Sequence, residues 1–374
     1  MKLNRWFFTI HSITGLATGL LLLLLGISGS ILVFMPEIDH YANRERLAIT
    51  AAPHQQRLPL DSLYRIITSR HTQLEGIAWT NPGEKDLAAE FRLYGNDGNV
   101  HTYDLGLTSI NPYTGRVIRE GSYRELATGL VYWIYQFHFC FQWGMPGILL
   151  TALMGIAMLV SCMTGIIIYR KHCWQVFTFR VKLSRKNWRT FSSGLHRIVG
   201  VWSLLPNMIL FFTGFWMNLF GFDAATWQRK QVAAPAPQVL HQSLDVLYAR
   251  SLQAIPGLHP VSVYLPVQPG KPFRVSGSLP GQPRIFAKAG NTVTTDVMTG
   301  RIKNISRLEE RSWGQLLEGM VHPLHTGNYG DTLIKLLYVF FGLLPGLLSI
   351  TGGLLWYRKL HSRSKRGHKQ VVAL

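Results

Sequence analysis

His11-Ser-Ile-Thr-Gly15 leads into an uncharged run, Ile13 to Phe34, that holds six consecutive leucines from Leu20 to Leu25. The same opening returns 185 residues later as His196-Arg-Ile-Val-Gly200, again at the start of an apolar block. Ser28-Gly29 returns at that offset as Thr213-Gly214, and Asn111-Pro-Tyr-Thr-Gly-Arg116 returns as Asp296-Val-Met-Thr-Gly-Arg301. Asp61-x-x-Tyr64 matches Asp245-x-x-Tyr248, Thr164-Gly165 matches Thr351-Gly352, and His138 matches His325, at nearly the same spacing. Self-similarity at one offset marks a duplicated unit. The chain reads as two tandem halves, each a helix, an outer module and a second helix.

About 20 apolar residues suffice to cross a hydrocarbon core. Four blocks qualify: Ile13 to Phe34, about Gly144 to Tyr169, Ile198 to Phe220, and about Leu333 to Tyr357 with Lys335 at its edge. The composition agrees, with 47% hydrophobic and 15% charged residues, where soluble domains carry about a quarter charged. Met35-Pro36-Glu37 follows the first block where a signal peptide would have small residues, which predicts an uncleaved anchor. The expected fold class is an α-helical membrane protein with four transmembrane helices and two α/β modules. Its segments are 1–35 (first helix), 36–137 (module 1), 138–169 (juxtamembrane segment and second helix) and 170–195 (basic loop). The second half repeats this as 196–220 (third helix), 221–324 (module 2), 325–357 (juxtamembrane segment and fourth helix) and 358–374 (basic tail).

Charge sets the orientation. Lys2 and Arg5 precede the first block, a cluster from Arg170 to Arg197 separates the second and third, and another from Arg358 to Lys369 follows the fourth. All 19 acidic residues lie in the two long intervening regions. The positive-inside rule therefore puts both termini and the short basic loop in the cytoplasm and the modules on the far side. The net charge of +19 is then a topology signal and an attraction to anionic membrane lipid, not a nucleic-acid footprint.

Within the modules, Leu58 to Ser69 and Leu240 to Leu252 have helical spacing, and Glu90–Tyr94 and Phe273–Ser276 alternate as strands do. The two Thr-Gly-Arg pieces read as turns between strands. Trp79, Tyr94, Tyr103, Tyr123 and Trp313 are expected to pack rather than bind, and Trp6, Trp133, Trp143, Trp202, Trp216 and Trp356 to form interfacial belts.

The repeat sorts the 14 histidines. His40, His54, His71, His101, His241 and His259 have no match in the other half, and His172, His361 and His368 sit among basic residues. Two equivalent pairs remain: His11 with His196 at the inner ends of odd-numbered spans, and His138 with His325 just outside even-numbered ones. Ionisable residues beside membrane helices point to a site, and imidazoles from facing helices are axial ligands for haem iron. His11 and His196 are the candidate ligands of an inner haem; His138 and His325 are those of an outer one. His322, in His322-Pro-Leu-His325, is the alternate outer ligand, with Pro323 expected at a helix start. Gly15 and Gly19 would let a porphyrin or a partner helix approach, and Arg5 and Arg197 are candidate partners for propionates. Cys140, Cys162 and Cys173 are too scattered for a thiolate site, and no Walker loop, His-Glu-x-x-His or serine elbow is present. The mid-membrane residues read as Leu, Ile, Gly and Met, unlike the broken helices of transporters.

The Arg5-x5-His11-x-x-x-Gly15 opening, the repeated Thr-Gly-Arg turns, His322-Pro-Leu-His325 and the ending Thr351-Gly-Gly-x-x-Trp-Tyr-Arg358 together resemble the PepSY-associated transmembrane-helix family. Within it they are similar to the FoxB-type ferric-siderophore reductases of the bacterial inner membrane. The resemblance implies PepSY-like periplasmic modules, haem b and electrons passed outward from the cytoplasmic side; the two histidine pairs would take two haems per chain, and the donor stays open between a quinol and a cytoplasmic reductase. The substrate it implies is a ferric siderophore, reduced so that Fe(II) leaves its hard oxygen ligands. A non-catalytic sensor or interaction protein and a small transporter are the competing expectations.

Overall fold

The computed structural model describes residues 2–71, 74–95, 106–224, 227, 240–268, 270–287 and 290–371. His101 and Tyr103 lie outside them, as do the side chains of His361 and His368. The first half runs α1 (Lys2–Leu32), α2 (Met35–Ala42), α3 (Arg44–Leu47), α4 (Leu60–Arg70), β1 (Leu74–Trp79), β2 (Ala89–Gly95), β3 (Gly106–Ile110), β4 (Val117–Gly121), α5 (Leu130–Cys140), α6 (Met145–Tyr169) and α7 (Cys173–Phe177). The second runs α8 (Trp188–Trp202), α9 (Leu204–Met217), α10 (Leu244–Ala254), β5 (His259–Pro266), β6 (Phe273–Ser278), β7 (Asn291–Thr295), β8 (Ile302–Ser306), α11 (Trp313–Thr326) and α12 (Thr332–Val371).

Among the described residues, three straight helical stretches are long and apolar enough to cross a membrane: Asn4–Leu32, Met145–Tyr169 and Thr332–Lys359. The third expected span, Ile198 to Phe220, is not one straight helix. It is the pair α8 and α9, bent by 66° at Ser203. Pro206 explains the break: it has no N–H for the Trp202 carbonyl one turn back, and its ring crowds that turn. Ser203 and Asn207 fill the bend, both buried, with Asn207 Nδ2 donating to Ser203 Oγ at 3.0 Å. The middle of this span is thus polar, contrary to the expectation of Leu, Ile, Gly and Met alone. α12 also continues helically through the basic tail to Val371. Where α1 crosses α12, a Cβ on Gly26 would stand 2.7 Å from the Gly342 carbonyl, so the crossing requires glycine.

The two expected modules form one sheet. Its order is β4-β3-β2-β1-β5-β6-β7-β8, antiparallel throughout, and β1 pairs with β5 from Gly76↔Pro266 to Trp79↔Val263. Each half contributes four strands and one covering helix to a shared core that includes Ile67, Ile77, Phe91, Leu247, Val263 and Phe273. The repeated aspartates stitch the halves together. Asp61 Oδ1 accepts from the Leu244 N–H at 2.8 Å while its Oδ2 accepts from Ser243 Oγ. Asp245 accepts from the Leu60 and Asp61 N–H groups at 2.8 and 3.2 Å. Each helix N-terminus is thus capped by the other repeat. Tyr64 donates to the Pro266 carbonyl across the same seam, and Trp79 packs on Phe91 and Tyr248. The Thr-Gly-Arg pieces are the β3–β4 and β7–β8 turns: Asn111 Oδ1 and Asp296 Oδ1 each accept two turn N–H groups.

Among the described residues, an ion cluster in the first half joins this sheet to the helices. Arg119 of β4 holds Asp39 of α2 at 2.7 and 3.0 Å and Glu90 of β2 at 3.0 Å. The Tyr132 hydroxyl of α5 donates to Asp39 at 3.1 Å and to Glu90 at 3.3 Å. Burial, with the two carboxylates, holds that phenol well above its usual pKa, so it stays a donor.

Candidate functional site

α5 ends at Cys140, and the chain reverses through Phe141, Gln142 and Gly144, all at positive φ, before α6 begins. That turn leaves His138 on a helix separate from α6. α11, its counterpart, starts at a capping box between Ser312 and Gln315 and ends at Gly327 with φ +71°. Pro323 lies inside α11 near its last turn, not at a helix start.

The four repeat-matched histidines meet as two pairs. The His11 and His196 rings have centres 6.2 Å apart, at 89° to each other. The His138 and His325 rings have centres 6.1 Å apart, at 49°. Each pair combines one histidine from each half, so both lie where the repeats face each other. The first is on the side of the basic segments and the second beside the sheet. From His11 to Ser28, the α1 residue that touches His138, the helix rises roughly 25 Å at 1.5 Å per residue.

Every Nδ1 is already engaged. His11 Nδ1 meets the Ser161 carbonyl at 3.0 Å and Thr164 Oγ1 at 3.3 Å. His196 Nδ1 meets Thr351 Oγ1 at 2.9 Å, His138 Nδ1 meets Ser28 Oγ at 3.0 Å, and His325 Nδ1 meets Thr213 Oγ1 at 3.0 Å. The glycine after each hydroxyl residue makes room for the ring. A Cβ on Gly29 would stand 2.8 Å from His138 Cε1, and one on Gly214 3.0 Å from His325 Cε1. On Gly165 it would stand 3.4 Å from His11 Cε1, and on Gly352 3.5 Å from His196 Cε1. The hydroxyl orients the imidazole and the glycine lets it lie against the helix. Sequence reasoning used these four dipeptides only to mark the repeat and missed their contact with the histidines. The signal was available: each apolar block holds a hydroxyl residue followed by glycine at a repeat-matched position, although the first block also holds Thr14-Gly15 and Thr18-Gly19.

Engaged Nδ1 atoms leave Nε2 as the nitrogen for a metal, with hydroxyls and carbonyls as the outer partners that metal-bound imidazoles normally have. Two imidazoles sharing one metal at about 2 Å per bond have ring centres about 6 Å apart, so both pairs have the separation that bis-imidazole ligation needs. A Cβ on Gly15, one turn from His11, would meet nothing within 4 Å, while Gly19 packs against Ser349 of α12. Gly15 therefore borders open space, and Gly19 serves helix packing.

His322 is exposed one turn before His325, and the ring contact of His138 is with His325. Arg5 is exposed. Arg197 turns back onto α8, with Nε on the Ser193 carbonyl at 3.0 Å, and lies over the Tyr169 ring at 5.8 Å.

The T351V variant tests the hydroxyl contact, since it keeps the shape of the side chain and removes the His196 Nδ1 partner. Loss of such an outer partner is expected to weaken inner-site metal affinity about 10–100-fold, measured by haemin titration of the apo-protein; unchanged affinity would show that Thr351 orients nothing.

A family whose description reads PepSY-associated TM region matches residues 8–359. No curated protein matches the chain.

Proposed function

The chain belongs to the PepSY-associated transmembrane family, and from that premise we propose that it is a haem-containing multi-pass membrane oxidoreductase. It would take electrons on the side of its basic segments and reduce a ferric siderophore on the side of its sheet, in a bacterial inner membrane. The observation that carries this reading is the two facing imidazole pairs, 6.2 and 6.1 Å between ring centres, each ring held at Nδ1. Haem b would supply one-electron redox chemistry at each pair. His11 with His196 and His138 with His325 would hold it. The Ser/Thr hydroxyls would fix the rings, and the apolar helices would keep water from the path between the pairs. Reduction of the substrate moves one electron to Fe(III), and the resulting Fe(II) is held less strongly by hard oxygen ligands.

The test is reoxidation. Dithionite-reduced, desalted protein mixed with ferrioxamine and a ferrous chelator is expected to return to its oxidised spectrum, with one trapped Fe(II) per electron lost. A reduced spectrum that persists would contradict the reductase reading. One observation favours a second reading, a small ion-coupled permease: the third span is broken, and buried Asn207 Oδ1 has no hydrogen-bond partner at the break. A permease needs no haem, so haem content separates the two.

A further inference from the structure

α4 and α10 close one face of the eight-stranded sheet; the other face carries a pocket of about 360 Å³, within the range of small-molecule sites. Strand alternation creates it. Val263, Leu265, Phe273 and Val275 enter the core, so Ser262, Tyr264, Arg274 and Ser276 share the opposite face. Arg311, from the segment that leads into α11, completes the wall, and among the described residues no carboxylate lines the pocket. The Arg274 guanidinium lies over the Tyr264 ring at 5.4 Å. Tyr264 can lie flat there only because position 76 is glycine, where a Cβ would fall 2.2 Å from its hydroxyl.

Two cations, Arg274 and Arg311, face this pocket. Among the described residues, no ion pair involves Arg274 or Arg311. Arg311 Nε is buried without a hydrogen-bond partner. A buried donor left unsatisfied is unfavourable, and an anion from solution removes that cost. The strand N–H groups are committed to the ladder, so recognition falls on side chains: two guanidinium forks, which suit carboxylates, and the hydroxyls of Ser262, Ser276 and Thr292.

We propose that this face is a binding site for a small polycarboxylate, separate from the four histidines. Arg311 and His325 stand at opposite ends of α11, whose 14 residues rise about 21 Å. The site therefore captures an anion in the sheet domain rather than at the imidazole pairs, and its occupancy is independent of haem.

Citrate is the probe, titrated calorimetrically into the full-length protein in detergent at low salt. Saturable binding is expected, weakened at least tenfold in R274Q and in R311Q and retained in H138A. Arg274 is exposed and outside the core, so R274Q keeps the test valid even if R311Q fails to fold. Absence of saturable binding to the wild-type chain, or equal affinity in R274Q, overturns the proposal. Binding lost in H138A but kept in R274Q places the anion at the histidines instead and overturns it equally.

Discussion

The H138A variant is expected to purify with about half the haem of the wild-type chain, one group in place of two. His138 faces His325 at 6.1 Å and is oriented by Ser28, so its removal leaves a single imidazole at that end of the bundle. The His11–His196 pair draws its hydrogen bonds from Ser161, Thr164 and Thr351. None of these touches α5, and the inner site should remain filled. H11A should give the complementary loss. H322A should change nothing, because the structure pairs His325 with His138. A pyridine-haemochrome assay on the three variants decides this; both haems retained in H138A would show that the pairing read from the repeat is wrong.

Arg119→Ala should destabilise the protein by about 3–5 kcal/mol, the range for breaking a buried ion pair from one side. The guanidinium is 2% exposed at its side chain and is the cation shared by Asp39 and Glu90. Without it, the buried Asp39 and the partly buried Glu90 carboxylates face the Tyr132 hydroxyl with their shared cation gone, in surroundings that solvate charge poorly. Because the cluster joins α2, α5 and the sheet, the loss should also loosen His138 and lower outer-site haem occupancy. Thermal unfolding measures the effect. A shift of the size expected for a surface pair, below about 1 kcal/mol, would show that the cluster is not what docks the sheet onto the helices. The triple change R119M, D39N and E90Q, which removes every charge, should recover much of the stability.

The duplication was legible because it repeats chemistry as well as hydropathy. Matching His11 with His196 and His138 with His325 needed only the spacing, and the structure brings those same rings together. The helices and turns of the modules were legible from their periods. The joined sheet was not. Pairing of β1 with β5 depends on two strands more than 180 residues apart, and strand alternation is the same whether an edge is solvated or paired. The bend at Ser203 was legible in principle, since Pro206 stands in the block, but an apolar run conceals a break that one polar residue can line. The cross-caps by Asp61 and Asp245 were hidden because N-caps are sought on a helix's own chain segment, and here each comes from the other repeat.

The central claim is that the two imidazole pairs hold haem. The measurement is a visible spectrum of the detergent-purified protein from haem-replete cells, oxidised and dithionite-reduced, with a pyridine-haemochrome count per chain. The account predicts a low-spin b-type spectrum and about two haems per chain, one for each bis-histidine pair. A folded, colourless protein would contradict it and leave the facing histidines as helix anchors.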